Sequence, residues 1–164
     1  MALTILAALQ LMAAYFLLLY AGVGLIQNKR FFSSAPKEVL AVVPGRKAER
    51  FRGAHALGWL LGFAAILLFP GALFLAAWDG VRSGFAFWRF FARFLAMLYA
   101  MELYDIFFFD WFLLCRSGFF AHFYLEVKGV VGSAQFWYNG KTHLLHFALY
   151  LPFCAVLAWL CTMF

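Results

Sequence analysis

The chain has 164 residues, of which 67% are hydrophobic, 22% aromatic and 12% charged, and its net charge is +6. Soluble domains are about 45–50% apolar and about 25% charged, so this composition excludes a water-soluble globule and calls for a surface that faces lipid. In so apolar a chain the positive charge suits anionic lipid headgroups rather than nucleic acid, which we exclude as a partner.

A first membrane span is predicted over residues 2–26. No basic segment precedes it, and it is too long for a signal-peptide core. Ala7, Ala14 and Ala21 recur at helical spacing with Gln10 near the same face. Small stripes let helix backbones approach closely in lipid, so this face is expected to look into a bundle. Loop 27–52 follows, with Lys29, Arg30, Lys37, Arg46, Lys47, Arg50 and Arg52. Its last part, Ala48-Glu49-Arg50 through Arg52, resembles the approach to the second helix in the membrane-bound glutathione transferase-like class. The likeness covers a handful of residues. Where that class carries Asn and Glu on the helix, this chain has His55, Trp59 and Phe63, so the resemblance implies no active site.

The second span is predicted over 53–78. Gly58 and Gly62 form a GxxxG continued by Ala65, a packing signal, and Pro70 is expected to kink the helix. The third span, 88–115, includes the stretch from Phe94 to Leu114, about 31 Å of helix, and carries Glu102, Asp105 and Asp110. Asp110-Trp111 with Cys115 and Arg116 reads as an interfacial anchor, because Trp prefers that depth and Arg snorkels.

Loop 116–141 has its own pattern. His122, Tyr124, Glu126 and Lys128 alternate with Phe123, Leu125 and Val127. Period-two alternation predicts a short strand, paired with Gln135 to Tyr138 as an interfacial hairpin; a short interfacial helix is the alternative. The fourth span, 142–163, contains Pro152. Tyr150 and Cys154 continue the face of His146 and read as bundle packing. The fold class expected is a single all-α integral membrane domain, a four-transmembrane-helix bundle with a possible hairpin between the third and fourth spans.

Loops 27–52 and 116–141 hold ten basic residues, and the other side holds three, Arg82, Arg89 and Arg93. The positive-inside rule then makes those loops cytoplasmic and both termini external, in a multi-pass protein of the cell (inner) membrane.

The acids of the third span carry the chemistry. A carboxylate at the bilayer centre costs about 2.5–3.5 kcal/mol on insertion scales. Glu102 and Asp105, three apart, share a helix face, and two like charges there resist double ionisation. Arg93 points almost opposite Glu102 at about 100° per residue. The functional reading of Glu102, Asp105, Asp110 and Gln10 is an ion or proton relay, or a polar site inside the bundle. The structural reading is carboxyls hydrogen-bonded to Gln10, Tyr15, Tyr20 or a backbone carbonyl. All four histidines, His55, His122, His143 and His146, fall near the cytoplasmic face. His143, His146, His55 and Asp110 are therefore a candidate metal set, suited to zinc or non-haem iron.

There is no HExxH, GxSxG, Walker loop, GxGxxG or CxxC, and Cys115, Cys154 and Cys161 form no disulfide framework. Three functions remain open. One is a small transport-type or accessory membrane subunit centred on the acids. Another is a membrane-surface enzyme acting on a lipid or amphipathic substrate through the His/Asp cluster. The third is a structural subunit that forms a homo- or hetero-oligomer through its small-residue faces.

Overall fold

The computed structural model describes residues 2–32, 35–130 and 137–164. Among them the chain is helical, with no strand. Helix α1 (Ala2–Tyr20) runs on into a π-helical turn, Ala21–Ile26, which ends at Gln27 in the left-handed region with φ 53°. After the short α2 (Lys37–Val42) comes the long α3 (Ala54–Arg82). Helix α4 (Phe87–Tyr104) continues without a break as a π-helical segment, Asp105–Arg116. A short α5 (Phe119–Phe123) and a 3₁₀ turn, Leu125–Val127, lead to α6 (Gly140–Cys161).

Three helical segments are long and apolar enough to cross a membrane: Ala2–Ile26, Ala54–Arg82 and Gly140–Cys161, with mean hydropathy of 2.2, 2.3 and 2.0. Only 17, 22 and 11% of their apolar windows are buried within the molecule. The apolar surface is therefore turned outward, the arrangement expected where lipid is the solvent.

What the helices do bury is small. Helix α3 presents Ala54, Gly58, Gly62, Ala65, Ala72, Ala76 and Gly80 to its neighbours, and α1 packs along it. A Cβ on Gly58 would lie 2.7 Å from Ile26 Cγ1 and 2.9 Å from Leu25 Cβ. A side chain at Gly80 would run into the Phe90 ring. Helix α4 packs on α6 and on α1. Both α3 and α6 run through their prolines, Pro70 and Pro152. Each has a neighbouring side chain donating to a carbonyl close by: Gln10 Nε2 to Leu68 O at 3.1 Å, and Tyr99 OH to Phe147 O at 3.1 Å. These bonds tie α1 to α3 and α4 to α6 near the prolines.

Among the described residues the expected hairpin strand is not there. Residues 119–123 and 125–127 are helical, joined by Tyr124 in extended backbone, and the buried ones of this stretch are Phe120, Tyr124 and Val127. Their spacing of four and three is the helical period. The alternation over 122–128 overlaps this stretch, and burial follows the spacing of four and three. Trp137 and Tyr138 lie in a turn, while Gln135 and Phe136 lie outside the described residues. The two loops meet at this end of the molecule: Lys29 N donates to Gly45 O, Lys47 N donates to Gln27 O, and Lys47 Nζ pairs with Glu126 at 3.2 Å.

Candidate functional site

Between the loop end and the apolar core, α4, its π-helical continuation and α6 bring together carboxylates and imidazoles. The first contact is across the α4–α6 seam. Glu102 is 2% exposed and His143 is 1% exposed. Glu102 Oε1 is 2.8 Å from His143 Nδ1 and 3.0 Å from His146 Nδ1. Its other oxygen, Oε2, accepts a hydrogen bond from Tyr150 OH at 2.8 Å. His143, His146 and Tyr150 follow at i, i+3 and i+7, one face of α6, and that face meets Glu102.

The second contact depends on winding. Five residues of α-helix turn by about 500°, leaving Asp105 and Asp110 roughly 140° apart. In π-helix the hydrogen bonds run from i to i+5, so residues five apart come nearly into register. The segment keeps this pattern to its end, where Ser117 N bonds Phe112 O at 2.8 Å. Asp110 is thereby turned toward α6: its Oδ2 lies 2.8 Å from His143 Nε2. Its Oδ1 accepts from Tyr138 OH at 2.9 Å. Burial, and then the neighbouring Asp110, raise the pKa of the Tyr138 hydroxyl above its ordinary value, which keeps it a donor. Asp105 Oδ2 is 4.0 Å from His143 Nδ1, and Tyr15 of α1 lies beside Asp105.

His143 therefore has a carboxylate oxygen at each ring nitrogen. Among the described residues, no lysine or arginine pairs with Glu102, Asp105 or Asp110; Arg93 is turned away to Asp79 and Ala76 O. A small recess, partly open to the outside, reaches Asp105 and Asp110 between Tyr15, Phe31, Phe120 and Tyr138.

Of the residues singled out from sequence, Glu102, Asp105, Asp110, His143 and His146 converge. Gln10 does not join them; it serves the α3 backbone near Pro70. His55 is also elsewhere: its Nδ1 is 3.1 Å from Arg46 Nη2 and 3.5 Å from Glu49 Oε1. His122 is exposed in α5. Tyr138 had no signal, being separated from Asp110 by 28 residues. Tyr150 did have one, since it lies on the His143/His146 face.

Glu102, His143 and His146 each present one donor atom within 4.8 Å of the others, so these three could hold a metal ion. No protein-family model, curated protein or solved structure matches the chain. The geometry above is thus the whole basis for a functional reading.

Proposed function

We propose that the chain is a polytopic integral membrane protein, a four-helix membrane bundle, acting as a small transport-type or accessory subunit whose working part is the acid–histidine centre. The observation that carries this reading is His143, buried, with carboxylates 2.8 Å from both ring nitrogens. Three carboxylates and two imidazoles inside a bundle are costly, and intramembrane ionisable groups are functional by default. With no lysine or arginine on them among the described residues, the carboxylates are a site for a cation, and the recess at Asp105 and Asp110 supplies access.

In this reading the continuous helix Phe87–Arg116 is the remaining span, with its charged residues turned inward. The protein belongs to the cell (inner) membrane, with loops 27–52 and 116–141 cytoplasmic and both termini outside. The basic loops then meet anionic headgroups. Oligomers are the further partner reading, testable by native mass spectrometry in mild detergent. The small-residue faces already pack within the chain, which weighs against those faces as the oligomer contact.

The test is ion flux into proteoliposomes, read with dyes for protons, sodium, potassium and zinc. Wild-type protein is expected to give a gradient-driven signal. Glu102→Gln combined with Asp105→Asn is expected to remove it while gel-filtration profile and thermal unfolding stay unchanged. A wild-type signal no larger than that of empty vesicles, or one the double variant keeps, rejects the reading. The enzyme alternative is favoured by one observation: the recess has aromatic walls with Asp105 and Asp110 at its side, a lining that pairs apolar contact with polar groups, as an amphipathic substrate would need. It requires that membrane lipids incubated with the protein yield a product by mass spectrometry, and that His143→Ala yield none.

A further inference from the structure

We propose that the centre binds a divalent transition-metal cation of the zinc or iron(II) class through Glu102 Oε1, His143 Nδ1 and His146 Nδ1. This inference rests on the reading of the acid–histidine centre as a cation site and names the cation.

The donor set is the first argument. Two imidazole nitrogens and one carboxylate oxygen suit zinc and iron, whereas magnesium and calcium prefer oxygen alone. The three atoms come from two helices and lie within 4.8 Å of one another. Donors each about 2.1 Å from one ion are separated by about 3 Å at right angles and more at wider angles. The spacings from Glu102 Oε1, 2.8 Å to His143 and 3.0 Å to His146, are hydrogen-bond contacts at or just below that lower limit, so an ion would replace these hydrogen bonds and part the donors by a few tenths of an ångström.

The outer contacts are the second argument, and they are independent of the first. A ligating histidine almost always donates its other ring N–H to a carboxylate or carbonyl, and a ligating carboxylate is itself hydrogen-bonded. Here His143 Nε2 faces Asp110 Oδ2 at 2.8 Å, and Asp110 is held in turn by Tyr138. Tyr150 OH donates to the Glu102 oxygen that is not used for the ion. With an ion on Nδ1, His143 needs only its Nε2–H tautomer, and all its polar atoms are satisfied with no charged ring.

Charge and openness complete the case. A divalent cation offsets carboxylates that have no lysine or arginine partner among the described residues. Glu102 and His143 are buried, but the His146 side chain is 40% exposed, so one ligand of the set borders the outside of the bundle. Three protein ligands with an open position mark a site where something exchanges or reacts, not a closed structural one. Asp105, 4.0 Å from His143 Nδ1, is placed to become a fourth ligand.

The experiment uses the full chain in detergent, stripped with EDTA. It is titrated with Zn²⁺ and, as a spectroscopic stand-in, Co²⁺, with Mg²⁺ as control, and bound metal is counted by plasma mass spectrometry. Wild-type protein is expected to take one Zn²⁺ or Co²⁺ per chain, with Co²⁺ visible absorption, and to leave Mg²⁺ unbound. His146→Ala, at a half-buried position where truncation spares the fold, should weaken binding at least tenfold. Tyr150→Phe, which removes only the outer hydroxyl, should weaken it about tenfold while keeping one metal per chain. Absence of stoichiometric metal on folded wild-type protein overturns the inference, as does Zn²⁺ binding that His146→Ala leaves unchanged. Flux without metal would keep the transport reading and remove this inference. Stoichiometric, His146-dependent metal without flux would keep this inference and remove the transport reading.

Discussion

Arg93 is the buried charge that the candidate site does not use. It is 6% exposed, and Nη1 donates to Asp79 Oδ2 at 2.7 Å and to Ala76 O at 2.8 Å. The guanidinium also stands 4.3 Å from the Phe85 ring centroid, a favourable cation–π distance. It therefore ties the start of α4 to the end of α3. Arg93→Ala removes the cation but leaves the Asp79 carboxylate, which is about one-third exposed and partly recovered by water. Loss of a charged hydrogen bond together with its buried stem should cost about 2–3 kcal/mol. Arg93→Lys keeps the charge but not the fork that reaches both acceptors, and should fall between the two. Thermal unfolding in detergent is expected to rank wild type above Arg93→Lys and Arg93→Ala lowest; an Ala variant as stable as wild type would show that the pair is idle. The direction of Arg93, away from Glu102, is legible from helical spacing alone. Its partner Asp79 is not, because only the reversal of the chain between α3 and α4 brings the two side by side.

At the scale of elements, α3 is organised by what it lacks. Gly58 and Gly62 look equivalent in sequence, yet a Cβ at Gly58 would lie 3.1 Å from the backbone nitrogen of Ile26, whereas at Gly62 it meets only Leu18 Cδ1 at 4.0 Å. Backbone gives way less readily than a flexible side-chain end. Gly58→Ala should therefore destabilise by about 1–3 kcal/mol through overpacking. Gly62→Ala should be neutral or gain up to about 1 kcal/mol from helix propensity, and paired thermal melts check the contrast. The start of α3 has a second device. Glu49 accepts from Gly53 N and His55 N at 3.2 Å each. These backbone donors, Gly53's first, hold its carboxyl below the usual glutamate range. A depressed folded pKa means the stabilisation is present above the unfolded value and is lost as pH falls through the folded one. Amide exchange over residues 54–57 should therefore be slow at neutral pH and quicken on acidification through and below the ordinary glutamate range, beyond the intrinsic rate change. Glu49→Gln should remove that pH dependence. Elements differ in how far sequence reveals them. Long apolar runs are bulk properties, so all-helical structure and apolar helices of membrane-spanning length were readable. The π-helical winding of Asp105–Arg116 was not, because no residue pattern distinguishes i to i+5 from i to i+4 bonding. Topology put Asp110 and His143 at the same end of the molecule, but their direct contact depends on this winding and was not readable. The alternation in 122–128 misled because Phe120, Tyr124 and Val127 carry a helical period through the same residues.

Apart from the acid–histidine centre, the whole molecule places its charges at opposite ends of an apolar middle. The loop end holds the Lys47–Glu126 and Arg46–His55–Glu49 contacts, and the far end holds Arg82, Arg89 and the Arg93–Asp79 pair. Between them α1, α3 and α6 turn leucine, isoleucine and phenylalanine outward, a surface that water would not tolerate over such an area. The acid–histidine centre lies in the half nearer the loops, because His143 is only three residues into α6 and Asp110 is six residues from the end of its helix. If ten basic residues hold the loop end in the cytoplasm, any ion reaching Asp105 and Asp110 through their recess comes from the cytoplasmic side. Side-specific labelling tests this in a background where Cys115, Cys154 and Cys161 are replaced by alanine. Lys128→Cys, in the loop before α6, should resist a membrane-impermeant maleimide in intact cells and label once they are permeabilised. Ser83→Cys, at the turn after α3, should label in intact cells. The reverse pattern would invert the orientation and put the opening of the centre on the outer side. Equal labelling of both positions in intact cells would mean that Lys128 and Ser83 share the outer side, so that α4 does not carry the chain across and the three apolar helices are the only spans. That outcome would reject the four-helix membrane bundle itself.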